Sequence, residues 1–313
     1  MAAAIAGDPL FWAGVAVGAV GVGLMAVRSA IAFPALPDPE PPLGEPIAAE
    51  DTEIVDVYEL EHRPGSVGSL SGFCLAVEAH LKALGLPYKS RLAFSEKFPP
   101  RGKAPYIEHF SKGGRMVGVG DSDAINAYLM SVAGTKPGRM LEADSEVTNS
   151  GRRGTIWLLK RLTTDRIYFV GMYSAVVPGA WDEGAKSAMP WPIGALFQMY
   201  LRRSMLDQCR SAAGGIGRFS FKEAMASIEP DLDVVEEAVA RLAGADGFMS
   251  GLARPCSSEV SMWAHMVPCI FEAADSDLGR SVQRRPRLCA WLLRVATHLF
   301  PERVAAARCV LGE

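Results

Sequence analysis

The sequence predicts an apolar span on a tether, then a small α/β layer unit, then an all-helical half. Three observations carry this. An uncharged apolar run fills residues 9–27, strand-like and helix-like segments alternate from 54 to 133, and beyond about residue 140 only helical periodicity remains. The 313 residues fit one large domain or two small ones. With 49% hydrophobic and 21% charged residues the chain reads as globular, which excludes collagen, a disordered tail and a polytopic transporter. Lysine plus arginine total 32 against 35 acids, a net charge of -3, so nucleic acid is not an expected partner.

Pro9 to Val27 (PLFWAGVAVGAVGVGLMAV) lies between Asp8 and Arg28. As a helix it reaches ~28 Å, against a hydrocarbon core of ~30 Å. Phe11 and Trp12 stand at one end, where interfacial aromatics belong, and Gly14 and Gly18 form a GxxxG. A cleaved signal peptide fits less well, because no Lys or Arg precedes the run, although Ala30-Ile31-Ala32 resembles a cleavage site. A buried soluble helix would not be so rich in glycine. The expectation is a single transmembrane helix within an anchor of residues 1–33. Arg28 after the span favours a body facing the cytosol, and a mitochondrial or other organellar membrane also fits. Residues 34–52 form an acidic tether with prolines at 34, 37, 39, 41, 42 and 46 and no Lys or Arg between Ser29 and His62. Such a stretch is extended and builds no core.

The α/β unit is expected over 53–135. Ile54 to Leu60 alternates as a strand, and GSVGSLSG over Gly65 to Gly72 reads as a loop. Phe73 to Leu84 has helical periodicity and stops before Gly85. Tyr88 to Phe94 is a second strand. Pro105 to Glu108 and Met116 to Val119 flank a Lys112-Gly113-Gly114 turn, and Ser122 to Ala133 is a helix. A helical half is expected over 140–305. It starts with one long helix from Glu146 to Tyr173, broken near Gly151 or Gly154. Ser220-Phe221-Lys222-Glu223 is a capping box, Leu232 to Leu242 is amphipathic, and Glu259 to Ala274 and Pro286 to Phe300 supply two more helices. Trp157, Phe169 and Trp263 are expected to be buried where the halves meet.

Six cysteines at 74, 209, 256, 269, 289 and 309 form no CxxC pair and read as buried reduced thiols. The histidines supply no ligand pairs, so no metal is expected. Gly65, Gly68 and Gly72 suggest a phosphate loop, but no Lys-Ser/Thr follows. His265 reads as a satisfied core residue.

Ser71-Gly72-Phe73-Cys74 followed by Leu75-Ala76-Val77-Glu78 resembles the S-P-F-C-x-x-V-E opening of the failed-axon-connections and metaxin branch of the glutathione transferase-like superfamily. Gly102 to Glu108 (GKAPYIE) resembles its G-K-x-P-W-I-E, and Asp121-Ser122-Asp123-Ala124-Ile125 resembles its D/E-S-x-x-I. Gly215 to Ser220 (GIGRFS) and Phe300-Pro301-Glu302 resemble blocks of its helical half. The resemblance implies an α/β thioredoxin-like N-terminal domain plus an all-α glutathione transferase C-terminal-like domain. Two departures stand out. Gly72 replaces the family's proline, which predicts a looser loop. Cys256 and Glu259 replace an S-x-x-D capping box, which predicts a cap weakened or shifted to Ser257.

Site residues follow from the resemblance. Ser71 would stabilise a glutathione thiolate in an enzyme, or simply cap the helix. Ala104 and Pro105 would offer backbone to glutathione, with Pro105 in the cis form, and Asp121 and Ser122 would meet its γ-glutamyl end or act as an ordinary N-cap. Cys74, one turn beyond Ser71, lacks a cysteine partner there and reads as buried. Two functions fit: a non-catalytic adaptor or assembly subunit, anchored in a membrane through residues 9–27 with protein partners or a second copy, or a transferase with glutathione as co-substrate.

Overall fold

In β1 (Thr52–Glu59) Val55 and Val57 face one side and Asp56 and Tyr58 the other, so the strand can sit at the centre of a two-faced sheet. The computed structural model describes residues 45–60, 68, 69, 71–93, 96, 97, 99, 100, 102–133, 138–177, 193–211, 215–271 and 276–304. After β1 come α1 (Gly72–Ala83), β2 (Tyr88–Leu92), β3 (Tyr106–Ser111), β4 (Met116–Gly120) and α2 (Ser122–Ala133). The sheet order is β2-β1-β3-β4, with β1 and β2 parallel and the other pairs antiparallel. This is the expected small α/β layer unit. Gly85, at a φ of 61°, ends α1 in the left-handed conformation that its position was read to require.

The helical half contains α3 (Ser150–Leu162), α4 (Tyr168–Val176), α5 (Ile193–Ser211), α6 (Phe221–Ala243), α7 (Ser257–Phe271), α8 (Asp277–Gln283) and α9 (Pro286–Leu299). All strands of the described residues precede residue 121. One apolar core runs through both halves. Val55, Val57, Ile107 and Leu75 of the first half belong to the same cluster as Ile228, Trp263 and Trp291 of the second. No described helix is long and apolar enough to cross a membrane, and the run 9–27 lies outside the described residues.

Several expectations are corrected. The tether read over 34–52 does build core at its end, since Ile47 is fully buried in the apolar cluster and its N–H donates to the Tyr128 hydroxyl at 3.4 Å. The long helix from 146 starts instead at Ser150, where the Asn149 side chain accepts the Arg152 N–H, while Glu146 folds back to accept the Ala143 N–H at 2.6 Å. Its break falls at neither glycine but at a π-helical turn, Thr163–Ile167. There the Thr163 hydroxyl donates to the Leu159 carbonyl at 2.8 Å and competes with the backbone ladder. Ser220 and Glu223 form the predicted capping box, but α6 continues through Pro230 and absorbs the segment around Leu232. Trp263 is fully buried and Phe169 half-buried. Trp157 is 54% exposed, because Ile156 and Leu159 take the core-facing positions of α3.

The cap of α7 is also rearranged. The Ser257 hydroxyl is engaged with Nε2 of His80 at 2.8 Å. The cap comes from another element: Asp144 accepts the Ser258 N–H at 2.9 Å and the Ser258 hydroxyl at 2.7 Å. Glu259 instead accepts the N–H groups of Met249, Ser250 and Cys256, which ties the preceding loop to the helix.

The end of α9 closes on α1. Phe300 stacks on Trp263 at a centroid separation of 5.8 Å, with Lys82 4.5 Å and Arg303 4.7 Å from its ring centroid. Arg303 then pairs with the buried Glu78 at 2.9 Å, and Lys82 pairs with Glu302.

Three histidines are buried. His80 donates from Nδ1 to the Ala76 carbonyl at 2.7 Å and His265 from Nδ1 to the Ser261 carbonyl at 2.7 Å. His109 accepts the Tyr128 hydroxyl at Nδ1 and donates from Nε2 to Thr52, both at 2.8 Å. Burial pushes all three down to about 4, from a usual value near 6.5. Between these values the unfolded chain binds more protons than the folded one, so folded stability rises with pH through that window. It is fully present above about pH 6.5 and is lost as pH falls toward 4. Denaturant unfolding followed by tryptophan fluorescence should show a loss of up to about 4 kcal/mol per pH unit, the limit for three protons. A flat profile from pH 7 to 5 would contradict neutral buried histidines.

Candidate functional site

The pairing register brings the predicted site residues to one end of the sheet. Tyr58 near the end of β1 pairs with Tyr106 at the start of β3, and Tyr106 pairs with Gly120 at the end of β4. The segments carrying Ser71, Ala104 with Pro105, and Asp121 with Ser122 therefore all leave the sheet at the same edge. Topology accomplishes what the motif order implied.

Ser71 is the N-cap of α1, with extended backbone angles, and its Oγ accepts the Cys74 N–H at 3.5 Å. Its own N–H donates to Ser69 Oγ at 3.4 Å, and the Ser69 hydroxyl donates to the Leu60 carbonyl at 3.2 Å. Only 5% of Ser71 is exposed. A hydroxyl at a helix N-terminus is placed to favour a nearby anion. Here it is occupied by capping and withdrawn from solvent. Cys74 is fully buried, and burial, with Glu59 nearby, pushes its thiol up to about 12. It is a free cysteine, as are Cys209 and Cys256.

Gly72, where a looser loop was expected, is instead tightly packed. A Cβ on Gly72 would sit 2.7 Å from the His265 Cα and 3.1 Å from the Ala264 carbonyl oxygen. Glycine is used here for close approach between helices rather than for freedom. Beside it, the Phe73 ring lies edge-on to His265 at 4.5 Å and to Tyr168 at 4.9 Å.

The Ala104-Pro105 bond is cis, as the resemblance implied, and Pro105 is buried. Asp121 adopts a φ of 77°, a left-handed conformation that Asp tolerates better than most residues. Its Oδ1 accepts the N–H groups of Asp123 at 3.1 Å and Ala124 at 3.4 Å, so it caps α2. Asp121 is exposed and keeps carboxylate lone pairs for a ligand, whereas Ser122 is buried. Asp123 pairs with Lys160 of α3 at 2.7 Å. Lys160, Tyr168 and His80 tie this region to the helical half, and no sequence motif marked them. Among the described residues no cluster of His, Cys, Asp or Glu could hold a metal ion.

A four-stranded α/β layer with a cis-proline before its third strand, leading into a helical half, is the architecture that the resemblance implied. Residues 72–180 match the model described as glutathione S-transferase N-terminal domain. No curated protein matches the chain. Among solved structures, a β-etherase from a Sphingobium species is 17% identical, covers 79% of this chain and 99% of its own, and has a TM-score of 0.52. A glutathione transferase family member from Pseudomonas fluorescens, with two glutathione bound, is 16% identical over 82% of this chain and 92% of its own, TM-score 0.46. One from Burkholderia graminis, also with two glutathione molecules per subunit, is 18% identical over 82% and 88%, TM-score 0.47. At these identities the likeness is one of fold.

The capping geometry generates a prediction. Ser71→Ala should cost about 1 kcal/mol of stability, the usual worth of an N-cap side chain, measured by denaturant unfolding. An unchanged unfolding midpoint would remove Ser71 as a cap.

Proposed function

We propose that this chain is a non-catalytic member of the glutathione transferase-like superfamily, of the failed-axon-connections and metaxin-like type, serving as an adaptor or assembly subunit at a membrane. The observation that carries the reading is the state of Ser71. The residue is 5% exposed and its hydroxyl accepts a helix N–H, while the neighbouring thiol is buried and held protonated. A transferase needs a donor presented to the thiol of its bound peptide. The apolar run at 9–27 and the acidic tether support a membrane anchor, with the body on the cytosolic side and protein partners or a second copy bound there.

The second reading, a transferase conjugating glutathione to a small electrophile, is favoured by Asp121. Its exposed carboxylate stands at the start of α2, where it would meet the peptide's amino group. In that case Ala104, Pro105 and Ser122 would hold the rest of glutathione and Ser71 would stabilise its thiolate.

Titrating glutathione to millimolar concentration into the full chain, with conjugation of chlorodinitrobenzene followed in parallel, separates the readings. The adaptor reading predicts no conjugation above the uncatalysed rate, and the same rate for Ser71→Ala. Conjugation that falls at least about tenfold in Ser71→Ala would establish the transferase and overturn the adaptor. Carbonate extraction tests the anchor, since the full chain should stay with the membrane and a chain lacking residues 1–33 should be released.

A further inference from the structure

A cavity of about 290 Å³ opens where the turn around Asp144, the start of α3 and the start of α7 meet. The site residues at the sheet edge are not among its walls. Val147 and Ile156, each 1% exposed, give it an apolar side, and the half-exposed indole of Trp157 lies beside them. Arg153 lines it and is exposed, which places a cation at the open side.

Gly154 also lines the cavity, and a Cβ built there meets nothing within 4 Å. Glycine inside a helix lowers its stability relative to alanine, and no packing contact at this position requires it. What the missing side chain leaves is room over the helix backbone next to a tryptophan ring. That space is open and is lined on one side by an aromatic residue. At its polar side, Ser258 is 4% exposed and donates its N–H and hydroxyl to the two oxygens of Asp144. A carboxylate has about four lone-pair positions, so Asp144 can accept a further donor from inside the cavity.

We propose that this cavity binds a small planar aromatic acid carrying a hydroxyl at the end remote from its carboxylate. The ring lies between Trp157 and the Gly154 backbone, the hydroxyl donates to Asp144, and the carboxylate pairs with the Arg153 guanidinium. The volume is at the small end of ligand pockets and suits a single ring with a short arm. The site is separate from the glutathione question, and neither reading of Ser71 bears on it.

The test titrates para-hydroxycinnamate into the full chain by calorimetry, with benzylamine as the probe of opposite charge. The wild type should bind the acid with a Kd of about 0.1–1 mM, as expected for so few atoms. Gly154→Leu, whose side chain enters the open space, should weaken binding at least about tenfold while a thermal melt shows the chain still folded. Arg153→Gln, an exposed substitution that leaves packing intact, should weaken it by about tenfold. No heat from the wild type at millimolar acid, or equal binding by Gly154→Leu and wild type, would overturn the site. Tighter binding of benzylamine than of the acid would overturn the assigned ligand class.

Discussion

The missing side chain at Gly72 sets how the α/β layer meets the helical half. With a 2.7 Å gap between a would-be Cβ and the His265 Cα, the first turn of α1 presses directly on the backbone of α7. The helices run antiparallel along that contact. Two turns further along α1, His80 meets Ser257, about two turns back along α7. Beyond the end of α1, the Met140 N–H bonds the Ala83 carbonyl at 2.6 Å, and Lys82 reaches Phe300 and Glu302. The two halves therefore share one hydrophobic core, closely packed at the start of α1 and joined by polar contacts at its end.

The same contact borders the candidate site. Ser71 immediately precedes the point of closest approach and is itself buried, with its hydroxyl on the Cys74 N–H. Phe73, on the other side of Gly72, fills the space beside His265 and Tyr168 with its ring. Asp121, at the start of α2, remains exposed.

The sequence was most legible where local chemistry decides. The β1 alternation, the Gly85 stop and the Ser220 to Glu223 capping box all appear as read. Helix α5, over a polar-rich stretch with weak periodicity, was not foreseen, nor was the short α8. Errors arose where a distant residue overrides a local pattern. Asp144 caps α7 from more than a hundred positions away, and His80 claims the Ser257 hydroxyl that the local pattern offered as the cap. Gly72 was misread for the same reason. A glycine before a helix signals freedom unless another backbone occupies the space of its side chain. The Trp157 error differs in kind, since an aromatic residue was assigned to the core by type when its neighbours Ile156 and Leu159 hold the inward positions. Of the site, the motifs supplied the residues and their common end of the sheet, but the burial of Ser71 is a tertiary property with no local signature.

The most direct measurement of the central claim is the stability of Gly72→Ala. Helix propensity alone would make alanine more stable than glycine by about 0.5–1 kcal/mol. The close approach to His265 predicts the opposite, a loss of about 1–3 kcal/mol from overpacking a contact between two backbones. A denaturant midpoint that falls in Gly72→Ala, with His80 and Ser257 intact, is the expected result. A midpoint unchanged or raised would show that α1 and α7 do not depend on glycine at their crossing, and the account of how the two halves meet would fall with it.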